Sequence, residues 1–332
     1  MESMTRRRFI ETTGLATTGL AAAVPLGLTG SALAAQGSAP ARGTPSVEKN
    51  IVFGKGGSTD LHLDIYRPPA GAEKRMATIH IHGGGFTGGS KDTLVERVPP
   101  YAARGYLAIA VQYRLAGEAK WPSQIEDVKA AIRWARANAK SLGFDPEKIA
   151  VVGHSAGGHL ALFAAGTPNR PEFEGKGGTP GAGTQVAACC AYYPATEVRP
   201  QRDGTANNLM PAGSDEAAHR AASPLTYITA AFPPTVIFHG TADTTIPLES
   251  SERLFKQLRD VKVPVEFHAI EGVPHVFDSN KEYAETAAGL ADFFIDRHII
   301  HPRTWGPPAG SGDGNRGGGN RGGGNRGRGN QD

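Results

Sequence analysis

The sequence has 332 residues, 39% of them hydrophobic and 20% charged, with a formal net charge of +3. That is the composition of a globular chain long enough to bury a sizeable core, and it excludes a disordered, fibrous or disulfide-stapled protein. Beyond the N-terminus no apolar run approaches the roughly 18 residues that a membrane span requires.

In chain order, residues 1–34 come first. "TRRRFIETTGLATTGLAAAVPLGLTGSALAAQ" has a basic start, a weakly apolar middle interrupted by Pro25, and small residues at Ala32-Leu33-Ala34. Its start resembles the twin-arginine export signal, departing from it at Glu11, so export with cleavage after Ala34 is expected. An uncleaved anchor is the alternative. Residues 35–48, rich in Ala, Pro, Gly and Ser, read as a linker. "KNIVFG" (49–54) and the alternating "TDLHLDIYRP" (59–68) predict two strands at an antiparallel edge. Asp60, His62 and Asp64 alternate as one strand face would, and no metal is assigned there. "MATIHIHGG" (76–84) predicts a third strand. "DTLVERVPPYAARG" (92–105) predicts a short helix interrupted by Pro99-Pro100, and "YLAIAVQYRL" (106–115) a strand buried on both faces.

The clearest helix is "PSQIEDVKAAIRWARANAKSLG" (122–143). Ser123 is its expected N-cap, Ile125, Val128, Ala131, Ile132 and Ala135 form its apolar stripe, and Gly143 follows its end. "KIAVVGHS" (148–155) reads as a strand, "AGGHLALFAAG" (156–166) as a helix and "VAACCAYYP" (186–194) as another apolar strand. Its Cys189 and Cys190 are the only cysteines; buried free thiols are the expectation and a vicinal disulfide the alternative. Residues 195–232 read as irregular. "PPTVIFHG" (233–240) and "PVEFHAIEG" (264–272) are predicted strands, "PLESSERLFKQLRDV" (247–261) and "EYAETAAGLADFFIDRHI" (282–299) predicted helices. Strands alternating with helices in this way imply one α/β domain over residues 49–302, with a mostly parallel central sheet and helices on both faces.

From 303 to 332 the chain repeats Gly-Asn-Arg-Gly-Gly and lacks the apolar residues needed to order itself, so it reads as a disordered tail. It is expected to be solvated; attraction to polyanions is the alternative. The two ends carry eight arginines against four acidic residues, which leaves residues 35–302 at a net charge of −1. No nucleic-acid partner is therefore expected for the folded part.

Three stretches carry chemistry. Gly153-His154-Ser155-Ala156-Gly157 ends one predicted strand and opens a helix, where Gly-x-Ser-x-Gly places a serine hydroxyl on a sharp turn above a sheet. A serine hydroxyl needs a base, and the base needs an orienting carboxylate. "HGTADTTIP" after the next-to-last strand offers Asp243, and "EGVPHVFD" after the last offers His275, in the order Ser, Asp, His. Glu249 and Asp278 compete for the acid, but Glu249 lies in a predicted helix and Asp278 follows the base instead of preceding it. His268 and His298 compete for the base, in mid-strand and in a helix. "HIHGGGF" follows the third strand, and bare glycines let backbone N–H groups approach a developing oxyanion. The N–H groups of the Gly83-Gly84-Gly85 run and of Ala156 are the expected donors, with His82 bracing the loop and Phe86 and His154 as candidates for the substrate pocket.

Through "HGGGF", "WPSQIEDVKAAIRWARANAKSLGFDPEKIAVVGHSAGGHLA", "HGTADTTIPLESSERL" and "EGVPHVF", residues 50–298 resemble the α/β-hydrolases of the HGGG-motif esterase/lipase group. Among these they most resemble the bifunctional acetylxylan/feruloyl esterase-like carbohydrate esterases. The resemblance implies the α/β-hydrolase fold, a Ser155–Asp243–His275 relay, Gly84, Gly85 and Ala156 around the oxyanion, and no metal or cofactor. It implies small esters or polysaccharide esters, carrying acetyl or feruloyl groups, as substrates. Phe86 stands where such relatives often have Trp, and only residues 199–225 offer a cap, so an open site is expected. A general short-chain carboxylesterase, an aryl-formamidase, a prolyl-oligopeptidase-like peptidase and a silent binding protein are the alternatives.

Overall fold

In the computed structural model, which describes residues 45–199 and 209–304, eight strands form one sheet. They are β1 (Ser46–Gly56), β2 (Thr59–Arg67), β3 (Ala77–Ile81), β4 (Leu107–Val111), β5 (Ile149–His154), β6 (Ala188–Tyr192), β7 (Thr235–Gly240) and β8 (Val265–Ile270). Their spatial order is β1-β2-β4-β3-β5-β6-β7-β8. β1 and β2 are antiparallel, as is β2 against β4, and every later pairing is parallel. This is the mostly parallel sheet, with an antiparallel edge, that the strand patterns predict. All described residues belong to one compact unit, Pro40–Asp332. The stretch read as an export signal, most of that read as a linker, residues 200–208 of the cap candidate and residues 305–332 lie outside the described residues.

Every residue of β3 to β7 is buried, which is why these strands read as continuous apolar runs instead of alternating ones. Successive side chains serve opposite faces. Ile79, Ile109, Val151, Cys189 and Ile237 meet α2 (Ser123–Ala137), α4 (Ala156–Gly166) and α7 (Glu249–Asp260) on one side. Ala108, Ala110, Val152, Cys190 and Phe238 meet α1 (Pro99–Ala103) and α8 (Lys281–Ile295) on the other. Cys189 and Cys190 thus point into different halves of the core as free buried thiols. Each fully buried Leu or Ile contributes about 1.5–3 kcal/mol, so the sheet is a stiff base for the loops at its C-terminal edge. The described residues also include the short helices α3 (Ala139–Leu142), α5 (Pro171–Glu174) and α6 (Glu216–Ala221).

Three local expectations need correction. Ser123 does not cap α2: Pro122 holds the N-cap position without a side-chain bond, its carbonyl accepting from the N–H groups of Ile125 and Glu126. Pro99-Pro100 does not interrupt a helix but starts one, because the first turn of α1 has no use for the missing N–H groups. The chain before it forms a 3-10 turn, Lys91–Leu94, capped by Ser90. The stretch read as irregular holds α6, capped by Asp215, and a 3-10 turn at Pro224–Tyr227; both are too short to show periodicity. Gly143 does end its helical segment, in the left-handed conformation (φ 85°) that suits glycine.

Candidate active site

Ser155 sits where β5 turns into α4, with φ 56° and ψ −115°. A non-glycine residue there is strained, and the turn closes only because its neighbours lack side chains. A Cβ on Gly153 would lie 2.0 Å from the carbonyl oxygen of Gly157, and one on Gly157 would lie 2.1 Å from that of Ile81. The glycines of Gly-x-Ser-x-Gly are therefore steric requirements of the turn. Ser155 N–H is bound to the Tyr192 carbonyl, 2.9 Å away. Ala156, the first residue of α4, lines the cleft beside it, and a first-turn N–H has no acceptor within its own helix.

The loops after β7 and β8 bring Asp243 and His275 to this serine. His275 Nδ1 donates to Asp243 Oδ2 at 2.6 Å, which leaves Nε2 to accept from the Ser155 hydroxyl at 2.9 Å. The three residues predicted from chain order form one continuous relay. Asp243 Oδ1 also accepts from the N–H groups of Thr245 (2.8 Å) and Ile246 (2.9 Å). Burial alone would raise the pKa of this carboxyl. Hydrogen bonds from His239, His275 and the Ile246 N–H outweigh that and hold it well below the usual carboxylate range. Ser155 Oγ bonds to His275 and not to His268 or His298, while Glu249 begins α7 and has no part in the relay.

His239 is a residue that sequence reasoning missed. It is the penultimate residue of β7, four before Asp243, fully buried, with Nε2 3.1 Å from Asp243 Oδ2 and 2.9 Å from the Ile246 carbonyl. With two acceptors facing it, Nε2 carries the proton, and Nδ1 accepts from the Ser251 hydroxyl at 2.7 Å. It meets the carboxylate at Oδ2, the oxygen that also accepts from His275. The only signal in the sequence is a histidine near the end of an apolar strand just before the acid's loop.

The glycine loop after β3 lies across the cleft. Gly84, Gly85 and Phe86 all adopt positive φ (115°, 61° and 63°), and a Cβ on Gly84 would lie 2.2 Å from the Gly88 carbonyl oxygen. The loop is tight, not slack. Its own carbonyl at Gly84 accepts from the N–H groups of Thr87 and Gly88. His82 braces it: Nδ1 donates to the Gly83 carbonyl at 2.8 Å, and the ring stacks on Tyr113 with centroids 4.2 Å apart. Gly84, Gly85 and Ala156 line the same cleft of about 750 Å³ as Ser155 and His275.

Both pocket candidates line the cleft. Phe86 does so with its ring edge-on to His159 at 5.2 Å. His154 lines it too, with its ring buried beside Tyr192 at a 4.6 Å ring separation and its Nδ1 2.7 Å from Asp278 Oδ2, out of line for a hydrogen bond. Burial, partly countered by Asp278, keeps this imidazole neutral at neutral pH. The residue before the nucleophile alternates inward with β5, which is why it faces the core. Asp278, set aside as the triad acid on chain order, is indeed not in the relay.

The BD-FAE family profile matches residues 63–258, a span that holds the glycine loop, Ser155 and Asp243. The chain belongs to the BD-FAE family. Among curated proteins it is 32% identical to the probable carboxylic ester hydrolase LipM of Mycobacterium tuberculosis, over 74% of this chain and 60% of LipM. It is 33% identical to the esterase LipC of the same organism, over 71% of this chain and 62% of LipC. The chain thus spans about three fifths of the length of these relatives. Among solved structures, a truncated carbohydrate esterase from gut microbiota superposes with a TM-score of 0.68 at 26% identity, covering 78% of this chain and 98% of that one. Apo Thermogutta terrifontis esterase 2 gives 0.67 at 30% identity, covering 79% and 98%. This BD-FAE member therefore has the α/β-hydrolase fold of known esterases, as its sheet order shows.

Proposed function

We propose that this chain is a serine hydrolase of carboxylic esters, working through an acyl-enzyme. The observation that carries the reading is the unbroken Ser155–His275–Asp243 relay at the floor of an open cleft. Ser155 Oγ attacks the ester carbonyl carbon while His275 Nε2 takes the hydroxyl proton. The carbonyl electron pair moves onto oxygen, which the N–H groups of Ala156 and the Gly84–Gly85 turn receive. One such donor lowers the barrier by about 3–4 kcal/mol. When the tetrahedral species collapses, the bond to the alcohol oxygen breaks and His275 returns its proton to that oxygen. Water, deprotonated by the same nitrogen, then attacks the acyl-enzyme and frees the acid and Ser155. Asp243 remains ionised throughout, holding the Nδ1 proton and stabilising the imidazolium.

Within that class the substrates we propose are acetyl or feruloyl esters on polysaccharide, reached after export by the twin-arginine-type signal. Family membership supports this, as does the likeness to a carbohydrate esterase. So does the shape of the surface: a second depression of about 790 Å³ shares Glu197, Val198 and Arg199 with the reactive cleft, leaving room for an alcohol part larger than a simple alkyl group. A general short-chain carboxylesterase is the second reading, favoured by the carboxylic ester hydrolases among its relatives. Acid release from acetylated xylan, methyl ferulate, p-nitrophenyl acetate and p-nitrophenyl octanoate separates the two. Release of acetate or ferulate that vanishes in Ser155→Ala supports the carbohydrate esterase. Turnover of the p-nitrophenyl esters alone leaves the general carboxylesterase and removes the polysaccharide assignment. Recovery of the protein outside the cytoplasm, lost on changing Arg6-Arg7 to Lys-Lys, tests export.

A further inference from the structure

Behind the relay lies a buried carboxylate that the reaction does not use. The side chain of Asp278 is 1% exposed. Oδ1 accepts from Arg97 Nε at 3.1 Å and from the Tyr193 hydroxyl, and Oδ2 lies 2.7 Å from His154 Nδ1. A buried carboxylate is expensive unless it is paired, so an arginine and a tyrosine hydroxyl bound to one oxygen, with a histidine ring against the other, make a built cluster and not an accident of packing.

Each partner belongs to a segment that carries a working part of the site. His154 directly precedes Ser155. Tyr193 follows β6, and its ring meets that of His275 edge-on, with centroids 4.6 Å apart and planes at 62°. The carbonyl of the adjacent Tyr192 holds the Ser155 N–H. Arg97 lines the cleft and donates Nη1 to the carbonyl of Thr93, another cleft residue, at 3.1 Å. Asp278 itself is three residues past His275, and between them Val276 has φ 61°, a rare conformation for a β-branched residue. Ser155 is strained as well. Such conformations persist only where the surroundings over-determine them.

We propose that Asp278 is a positioning residue for the hydrolytic reaction: by gathering Tyr193, His154 and Arg97 around one carboxylate, it holds the His275 loop and the Ser155 turn at mutual hydrogen-bonding distance. The inference rests on the serine-hydrolase reading of the site. Tyr193 transmits the effect to the base, since its hydroxyl is fixed by Asp278 and its ring bears on the imidazole.

The test compares Asp278→Asn and Tyr193→Phe with wild type in the full chain. Five quantities are read: kcat and KM for p-nitrophenyl acetate, Tm, the rate of Ser155 labelling by a fluorophosphonate, and the downfield proton resonance of His275 Nδ1–H. Tyr193→Phe keeps the ring and removes one hydroxyl, so it reports even if Asp278→Asn folds poorly. The expected result is a loss of about tenfold or more in kcat and in labelling rate, with KM within about threefold, and a shifted or broadened His275 resonance in both variants. Variants that lose Tm alone, with kcat, labelling and the resonance unchanged, would show Asp278 to be structural and overturn the proposal. If wild type neither hydrolyses the ester nor takes the label, the hydrolase reading fails instead, and the resonance in the variants still decides the positioning claim.

Discussion

Acidification is expected to destabilise this protein through histidines that have no role in catalysis. His82 and His159 are buried, and burial lowers the pKa of each from the ordinary 6.5 to about 4. The carbonyl of Gly83 opposes the shift at His82, and those of Ala195 and Ala222 oppose it at His159, without overcoming it. Both rings are neutral in the folded state, while in the unfolded chain they take up protons below pH 6.5. The folded pKa is depressed, so the unfolded state binds more protons as the pH falls, and stability present above about pH 6.5 is lost towards about pH 4. Each histidine costs about 1.4 kcal/mol per pH unit across that window, or roughly 3 kcal/mol in all. Together they remove about 2.7 kcal/mol per unit, a large share of the roughly 5–15 kcal/mol by which a domain is stable. His80 and His154, also lowered by burial, act in the same direction. Urea unfolding at about pH 7.5, 6.5, 5.5 and 5 measures the slope. His159→Phe, which keeps an aromatic ring beside Phe163 and Phe86, should reduce it by about 1.4 kcal/mol per pH unit. Stability that is flat or rising from about pH 6.5 to 5, or a His159→Phe slope equal to that of wild type, would refute the reasoning.

Three substitutions extend the account to the site. Asp243→Asn keeps the shape of the relay but removes the charge that fixes the His275 tautomer, and should lower kcat for p-nitrophenyl acetate by about three to four orders of magnitude. His239→Phe removes a donor 3.1 Å from the Asp243 carboxylate; a hydrogen bond to a charged group is worth about 1.5–3 kcal/mol, so kcat/KM should fall about tenfold to a hundredfold in steady-state assays. Gly157→Ala would place a methyl carbon 2.1 Å from the Ile81 carbonyl oxygen and 2.5 Å from that of His82, backbone atoms of β3 and the loop that follows it. Calorimetry should show a Tm lower by about 4–8 °C and assays a loss of most activity, as for about 2 kcal/mol of strain in the nucleophile turn.

The relay was legible in the sequence because its three members answer to local rules. Ser155 is announced by glycines that the turn sterically needs, and Asp243 and His275 follow apolar strands in a fixed order. The sheet was legible for the same reason, since strands buried on both faces are unbroken apolar runs. What stayed hidden depends on distant pairings. Arg97 meets Asp278 across 181 positions of sequence, and Tyr193 meets it across 85. No spacing rule records such contacts. The motif marks His154 as a neighbour of the nucleophile, and it does line the cleft, but the burial of its ring against Asp278 follows from strand alternation and a distant pairing that the motif does not record. Ser123 fits the composition of an N-cap, but the preceding proline takes that position.

The most direct test of the central claim is to mix the full chain with p-nitrophenyl acetate, quench it in acid during turnover and map the acylated peptide. The account predicts an acetyl group on Ser155, absent together with all catalysed hydrolysis in Ser155→Ala. Hydrolysis that continues in Ser155→Ala, or an acetyl group carried on a different residue during turnover, would contradict it.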